Sequence, residues 1–203
     1  MSLPRRAWMF LRYATRSMGL ALRMDYDLLF ATSTPLTAGI PGIFARPLRR
    51  KPFVFEVRDL WPELPKAMGV VKNPLVLAGM SVLEWMSYQT ASACIALAPG
   101  IKEGIAKRSP RNRAIAMIPN GCDLDLFQPG RREDLDLPGV KASDCVAIFT
   151  GAHGIANGLN AVLDTACVLK KRGRMDIVLV FIGDGKSKPA LIERTKTEVL
   201  ENC

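Results

Sequence analysis

The chain has one histidine, His153, among 203 residues. A zinc site rich in imidazole, a Ser-His-Asp triad or a Cys-His pair would each have to use it, and nothing near it in sequence brings the right partners. The five cysteines, at 94, 122, 145, 167 and 203, form no C-x-x-C pair and are odd in number. That argues against a disulfide frame and fits reduced, mostly buried thiols in a cytoplasmic protein. Long apolar runs are missing too. The best stretch, Pro74 to Ala98, carries Glu84, Ser87, Gln89, Thr90 and Ser92, so it reads as a buried helix followed by a strand and not as a membrane span. Behind Arg5 and Arg6 the chain is interrupted by Arg12, Arg16 and Arg23, which excludes a signal peptide. There is no internal repeat and no low-complexity tract. Hydrophobic residues at 49% and charged residues at 23% of a 22.3 kDa chain describe one large globular domain or two modest ones.

Charge is abundant but uneven. Met1 to Gln128 holds 17 Lys/Arg against 9 Asp/Glu, whereas Pro129 to Cys203 holds 11 against 10. A basic front half beside a near-neutral back half predicts two units with different partners, the first facing phosphates, an anionic bilayer or a charged small molecule. The opening 24 residues contain five arginines and no acid. At about 100° per residue, Arg5, Arg12, Arg16 and Arg23 share one helical face, with Leu11, Met18 and Leu22 on another and Trp8 beside them. This is a basic amphipathic helix, suited to an anionic membrane surface or to covering a sheet with its arginines in water.

From Asp27 onward strands and helices alternate. Strands are predicted at Leu28–Thr32, Phe53–Val57, Cys94–Ala98, Ala114–Ile118, Val146–Thr150 and Ile177–Ile182. Helices are predicted at Pro74–Thr90, Ile101–Lys107, Asn160–Lys171 and Pro189–Leu200, with Leu36–Leu48 helical in part because Gly39, Pro41, Gly42 and Pro47 break it. Residues 129–144, with Pro129, Gly130, Pro138, Gly139 and seven charges, read as a linker. The expected organisation is a first lobe at 1–128 and a second at 145–203, each an α/β lobe with a parallel sheet and right-handed crossovers.

In such sheets ligands bind beyond the carboxyl ends of the strands, where helix N-termini offer free N–H groups. After 146–150 comes Gly151-Ala-His153-Gly154-Ile-Ala-Asn157-Gly158, whose glycines let a phosphate approach the backbone, or simply make a turn. After 177–182 comes Gly183-Asp-Gly185-Lys186-Ser187. It imitates a P-loop, but Val180 stands where that motif needs glycine, so an ATPase is excluded. Ser187 is a candidate N-cap, and Lys186 and Lys188 are within reach of an anion. After 53–57 comes Arg58-Asp59-Leu-Trp61-Pro-Glu63, where Arg58 and Asp59 either serve a function, pair with each other, or cap the next segment. Three D-x-D pairs (25/27, 123/125, 134/136) are no more than eleven aspartates would give by chance, and no metal is expected.

Three runs, Tyr26-Asp-Leu-Leu-Phe-Ala-Thr-Ser33, Pro52-Phe-Val-Phe-Glu-Val-Arg-Asp-Leu-Trp-Pro-Glu63 and Ile118-Pro-Asn-Gly-Cys-Asp123, followed in order by Gly151…Gly158 and Phe181-Ile-Gly-Asp-Gly185, resemble bacterial glycosyltransferase family 4. The likeness is greatest to the group acting on lipid-linked O-antigen and capsule intermediates, and it covers nearly all of the chain from Tyr26. The resemblance implies a GT-B architecture of two Rossmann-like lobes, both incomplete here, because family members carry further strands before Tyr26 and a pair of glutamates beyond Cys203. It implies a retaining sugar transfer from a nucleotide-diphosphate sugar to a polyprenyl-linked acceptor, without metal or cofactor. The enzyme would sit in the cytoplasm, peripheral at the inner face of the plasma membrane, with no nucleic-acid partner. It places Asp59 and Arg58 at the acceptor, as the catalytic candidates. The donor would lie against Gly151, His153, Gly154, Asn157, Gly158, Gly183, Gly185 and Lys186. The glycine turn departs from many relatives, with Ala152 and Asn157 where they carry Arg and Lys. Two other readings stay open: a nucleotide-sugar epimerase of the same fold, which leaves the basic opening helix unexplained, and a nucleic-acid binder, which lacks the interleaved basic and aromatic residues of such surfaces.

Overall fold

The computed structural model describes residues 3–109, 114–129, 137 and 139–203. The chain divides into two compact units, one ending at Leu124 and the other running from Asp125 to Cys203. Residues 130–136 and 138, which include half of the expected linker and the Asp134/Asp136 pair, lie outside the described residues.

The first unit is built on four parallel strands in spatial order β1 (Leu29–Thr32), β2 (Phe53–Val57), β3 (Ala93–Ala96), β4 (Ala114–Met117). In β2 the alternation of FVFEV places Phe53, Phe55 and Val57 on one fully buried face. There they meet Tyr88, Cys94, Ala96 and Ile105 in one core, each large side chain contributing about 1.5–3 kcal/mol of burial. The helices are α1 (Leu3–Arg23), α2 (Ile40–Arg49), α3 (Glu63–Ala67), α4 (Pro74–Thr90) and α5 (Pro99–Arg108). The start of α4 is set by Pro74 in its first turn and by Asn73, whose side-chain oxygen accepts from the N–H groups of Leu75 and Val76.

Three expectations are corrected. The segment 36–48 is not broken: a 3-10 turn at Leu36–Gly39 leads into α2, which runs through Gly42 and Pro47. Pro41 falls in its first turn, where no N–H is needed, and Gly42 lies where a Cβ would overlap the Phe53 ring. The opening helix exists but buries a different face. Its core positions are the small residues Ala14 and Ala21, while Trp8 and Leu11 are exposed and Met18 and Leu22 only half-buried. Met9, Phe10, Tyr13, Leu20 and Met24 line an open groove of about 930 Å³ against the edge strand β1. Arg5, Arg12, Arg16 and Arg23 are all exposed, and the Arg12 guanidinium stands 5.4 Å from the centre of the Trp8 ring. Finally, the thiols are not mostly buried: Cys94 is, but Cys122 and Cys145 are exposed and Cys167 and Cys203 half-buried.

The second unit pairs β5 (Cys145–Thr150) with β6 (Ile177–Ile182) in parallel, from Cys145↔Ile177 to Thr150↔Ile182. Helices α6 (Leu159–Lys171) and α7 (Lys188–Thr197) follow the two strands. Leu159, Leu163 and Ala166 from α6 join Leu179, Leu191 and Leu200 in the core. Helix α7 stops before Leu200 because the chain turns at Val199 (φ 51°), where Lys170 Nζ donates to the carbonyls of Glu198 and Val199 at 3.1 and 2.7 Å. Strand–helix alternation thus gives the expected α/β class with a parallel sheet in each unit.

Candidate functional site

In the first unit the candidate residues follow β2, and the loop that carries them is tied down at four points. Ser33, buried at the end of β1, accepts the Arg58 N–H on its hydroxyl at 2.9 Å and the Trp61 indole N–H on its carbonyl at 3.1 Å. The Trp61 backbone N–H donates to Glu84 Oε1 at 3.0 Å, and the Trp61 carbonyl accepts from Arg108 at 2.8 Å. Glu84, on α4, is buried (1% exposed) and also accepts the Tyr88 hydroxyl at 2.8 Å and an ion-paired N–H of Arg108. Arg108, the last residue of α5, reaches Glu63 at 2.9 Å as well. Behind the loop, Leu60 packs on the core and against Gly104, where a Cβ would crowd its methyl groups.

Burial pushes the Glu84 carboxyl above its ordinary range, against the lowering effect of Tyr88, Arg108 and the Trp61 N–H. Burial likewise raises the Tyr88 phenol, and the Glu84 charge adds to it. With its backbone held from behind, the loop leaves Arg58 exposed and Asp59 half-exposed. Among the described residues Arg58 and Asp59 form no ion pair with each other. Nor does Asp59 cap α3, whose N-cap position is Pro62.

Sequence reasoning missed Ser33, Glu84 and Arg108. The available signal was Glu84 itself, the one charged residue in α4. Such a carboxylate stays buried only if donors surround it.

In the second unit the two glycine turns, after β5 and after β6, are locked to each other by backbone. Gly151 N–H donates to Ile182 O at 2.9 Å, His153 N–H to Asp184 O at 2.8 Å, and Ser187 N–H to His153 O at 2.9 Å. A Cβ on Gly183 would overlap the Gly151 carbonyl, and one on Gly185 would overlap the His153 backbone. Gly183 and Gly185 therefore serve the close approach of the two turns. Gly154 and Gly158 face open space, and Gly158 takes the left-handed conformation (φ 60°) immediately before α6. No side chain caps the start of α6 or of α7, where Ser187 occupies the cap position without bonding through its hydroxyl. Free N–H groups in the first turn, with the positive end of the helix dipole, suit an anion.

The remaining candidates divide. Asn157 is exposed, and its side-chain amide donates to Ala152 O. Lys186 is exposed, while Lys188 Nζ is committed to Gly183 O at 2.8 Å. His153 is buried (3% exposed), its ring against Phe149 and edge-on to Phe181, at centroid distances of 6.1 and 6.3 Å. Among the described residues neither ring nitrogen has a hydrogen-bond partner. A cavity of about 390 Å³ lies beside the ring, lined also by Phe181, Lys188 and Leu191. Among the described residues no cluster of three or more His, Cys, Asp or Glu side chains is arranged to hold a metal ion, and no helix is long and apolar enough to cross a membrane.

Comparison with known proteins adds a family. The model of the Glycosyl transferase 4-like domain matches residues 1–121, more than half of the chain, and the chain belongs to that family. No curated protein sequence matches it. Among solved structures, Anabaena Alr3699/HepE in complex with UDP is similar with a TM-score of 0.64 at 17% identity, over 95% of this chain and 49% of that one. The same protein in complex with UDP-glucose gives 0.65 at 18%, over 100% and 52%. The chain thus spans about half the length of these structures. At such identity the likeness carries the fold, α/β with parallel sheets in the GT-B class.

Proposed function

We propose that the chain is part of a retaining glycosyltransferase that moves a sugar from a nucleotide-diphosphate donor to a polyprenyl-linked glycan acceptor in cell-surface polysaccharide synthesis. The observation that carries this reading is the pair of interlocked glycine turns at the carboxyl ends of β5 and β6, with the uncapped start of α6 beside them. A diphosphate leaving group gathers negative charge as the glycosidic bond breaks, and preoriented N–H groups with a helix N-terminus stabilise it electrostatically. Gly151, Gly154, Asn157, Gly158, Gly183 and Gly185 would border the diphosphate, Lys186 would add a cation from the exposed side, and buried His153 would hold the floor of the turn. That HepE binds UDP and UDP-glucose supports a nucleotide-sugar donor. In the first unit the exposed Arg58 and half-exposed Asp59 would meet the acceptor: Asp59 is a carboxylate able to take a hydroxyl proton, Arg58 a partner for acceptor phosphate.

The exposed arginines of α1 favour a transferase peripheral at an anionic membrane, on the cytoplasmic side, over an epimerase, which needs no lipid acceptor. Each arginine close to such a surface contributes about 1 kcal/mol. Isothermal titration with UDP- and GDP-sugars is the test, with UDP-glucose binding expected and lost in Gly154→Asp, which sets a carboxylate in the space left for phosphate. Absence of binding to the whole panel sinks the reading. Flotation with anionic vesicles separates transferase from epimerase: the transferase floats, and indifference to the vesicles favours the epimerase.

A further inference from the structure

Glu84 is buried and Arg108 half-buried, and nothing in the proposed chemistry uses them. Yet between them they hold both backbone polar groups of one residue, Trp61: Glu84 takes its N–H at 3.0 Å and Arg108 donates to its carbonyl at 2.8 Å. The two are themselves ion-paired, and each has a further partner, Tyr88 at 2.8 Å for Glu84 and Glu63 at 2.9 Å for Arg108. The Trp61 indole completes the grip through Ser33 O, and Ser33 Oγ holds the Arg58 N–H. The elements joined are the ends of β1 and α5 and the middle of α4, separated by up to 75 positions in sequence.

An ion pair built on a buried carboxylate is a weak device for stability, since well-packed apolar residues do as well or better. Keeping one here makes sense where a specific backbone conformation must be held, because a carboxylate and a guanidinium fix direction as well as distance. We propose that Glu84 and Arg108 are positioning residues: acting through the Trp61 backbone, they fix the direction in which Arg58 and Asp59 leave β2 and so the geometry of the acceptor side. The backbone grip stands by itself, whereas the acceptor part rests on the proposed function. Neither residue touches substrate; their effect is on the loop.

The test uses the full chain carrying Glu84→Gln or Arg108→Lys. Glutamine keeps the shape but not the charge, and lysine keeps the charge but lacks both the planar fork that fixes direction and the second nitrogen with which Arg108 also holds Glu63. The first readout is hydrogen exchange at the Trp61 indole N–H, assigned by its loss in Trp61→Phe. We expect exchange about tenfold faster in both variants, with the amides of Phe53–Val57 as protected as before. Unchanged indole exchange overturns the grip. Equal loosening of the β2 amides marks a general structural role and overturns it too. The second readout is transfer from UDP-glucose to a polyprenyl diphosphate-linked monosaccharide as probe substrates, with kcat expected to fall about tenfold and the UDP-glucose KM unchanged. Faster exchange with kcat unaltered leaves the glycosyltransferase reading intact and removes the positioning role. Failure of the unsubstituted chain to bind or turn over any nucleotide sugar defeats the functional reading and the acceptor part with it, while the exchange result decides the grip.

Discussion

The loop after β2 and the turns after β5 and β6 occupy equivalent places, each at the carboxyl end of a parallel strand, but they are held by different means. The loop is held by side chains brought from β1, α4 and α5: Ser33, Glu84 and Arg108. The glycine turns are locked to each other by backbone, through Gly151, His153 and Ser187 bonding across to Ile182, Asp184 and His153, with the Asn157 amide and Lys188 Nζ adding bonds to the Ala152 and Gly183 carbonyls. Backbone locking requires two chains to approach closer than a Cβ permits, so it writes itself into the sequence as glycine. Side-chain locking tolerates almost any local sequence, and it depends on residues that only the fold brings near.

The largest effect expected from breaking this contrast is in the first unit. Glu84→Ala leaves the Trp61 N–H, the Tyr88 hydroxyl and Arg108 without their buried acceptor, and should cost about 3 kcal/mol. Urea denaturation followed by tryptophan fluorescence reads this unit selectively, because Trp8, Trp61 and Trp85 all precede Leu124. A loss under about 1 kcal/mol would mean that the loop carries the carboxylate and not the reverse.

Next comes Gly183→Ala, whose Cβ meets the Gly151 carbonyl. It should cost about 2 kcal/mol or more in the second unit, read by circular dichroism, since backbone cannot move aside as a side chain does. Gly154→Ala is the paired control. Its Cβ meets open space, so a change within about 0.5 kcal/mol is expected, and a larger one would show that the first turn is tighter than the second.

Acid should act on the two units with opposite sign. Burial raises Glu84 above 4.5, so its folded form favours the proton: the stability linked to this group is fully present below about pH 4.5 and declines as pH rises through the raised value. In the second unit Glu198 is lowered by Arg194 and Cys167, and Asp176 by Arg174. Their contribution is present above about pH 4.5 and is lost as pH falls through the lowered values. These pairs are at the surface, so the effect is the smallest of the set. Denaturation midpoints taken at neutral pH and near pH 4 should shift down for the circular dichroism transition more than for the tryptophan transition. The reverse order would contradict the assignment.

Much of the fold was legible. Phe53–Val57 and Ile177–Ile182 are legible to the residue, because an apolar, β-branched or aromatic run between turn residues has few other uses. The segment 36–48 reads as helical only in part because proline and glycine weigh against a helix interior, and that prior loses over 40–49, where Pro41 sits in the first turn and Gly42 makes room for Phe53. The arginine face of α1 was legible from spacing; its buried face was not, since Ala14 and Ala21 look weaker than Leu11 and Trp8 until a neighbour requires small residues. The glycine turns are legible as turns after their strands, and the structure adds that the missing Cβ atoms of Gly183 and Gly185 let the neighbouring turn come close.

By itself the sequence determined what depends on neighbours along the chain: the alternation of strand and helix, the basic front half, and the glycines and charges that follow each strand. Only the tertiary structure decided which of those groups act together. Ser33, Trp61, Glu84 and Arg108 are meaningless as a spacing, and become a single device because parallel strands with long crossovers deliver distant segments to one sheet end. Local pattern records the energy of each element; the partner of a buried charge is set by where the whole chain goes.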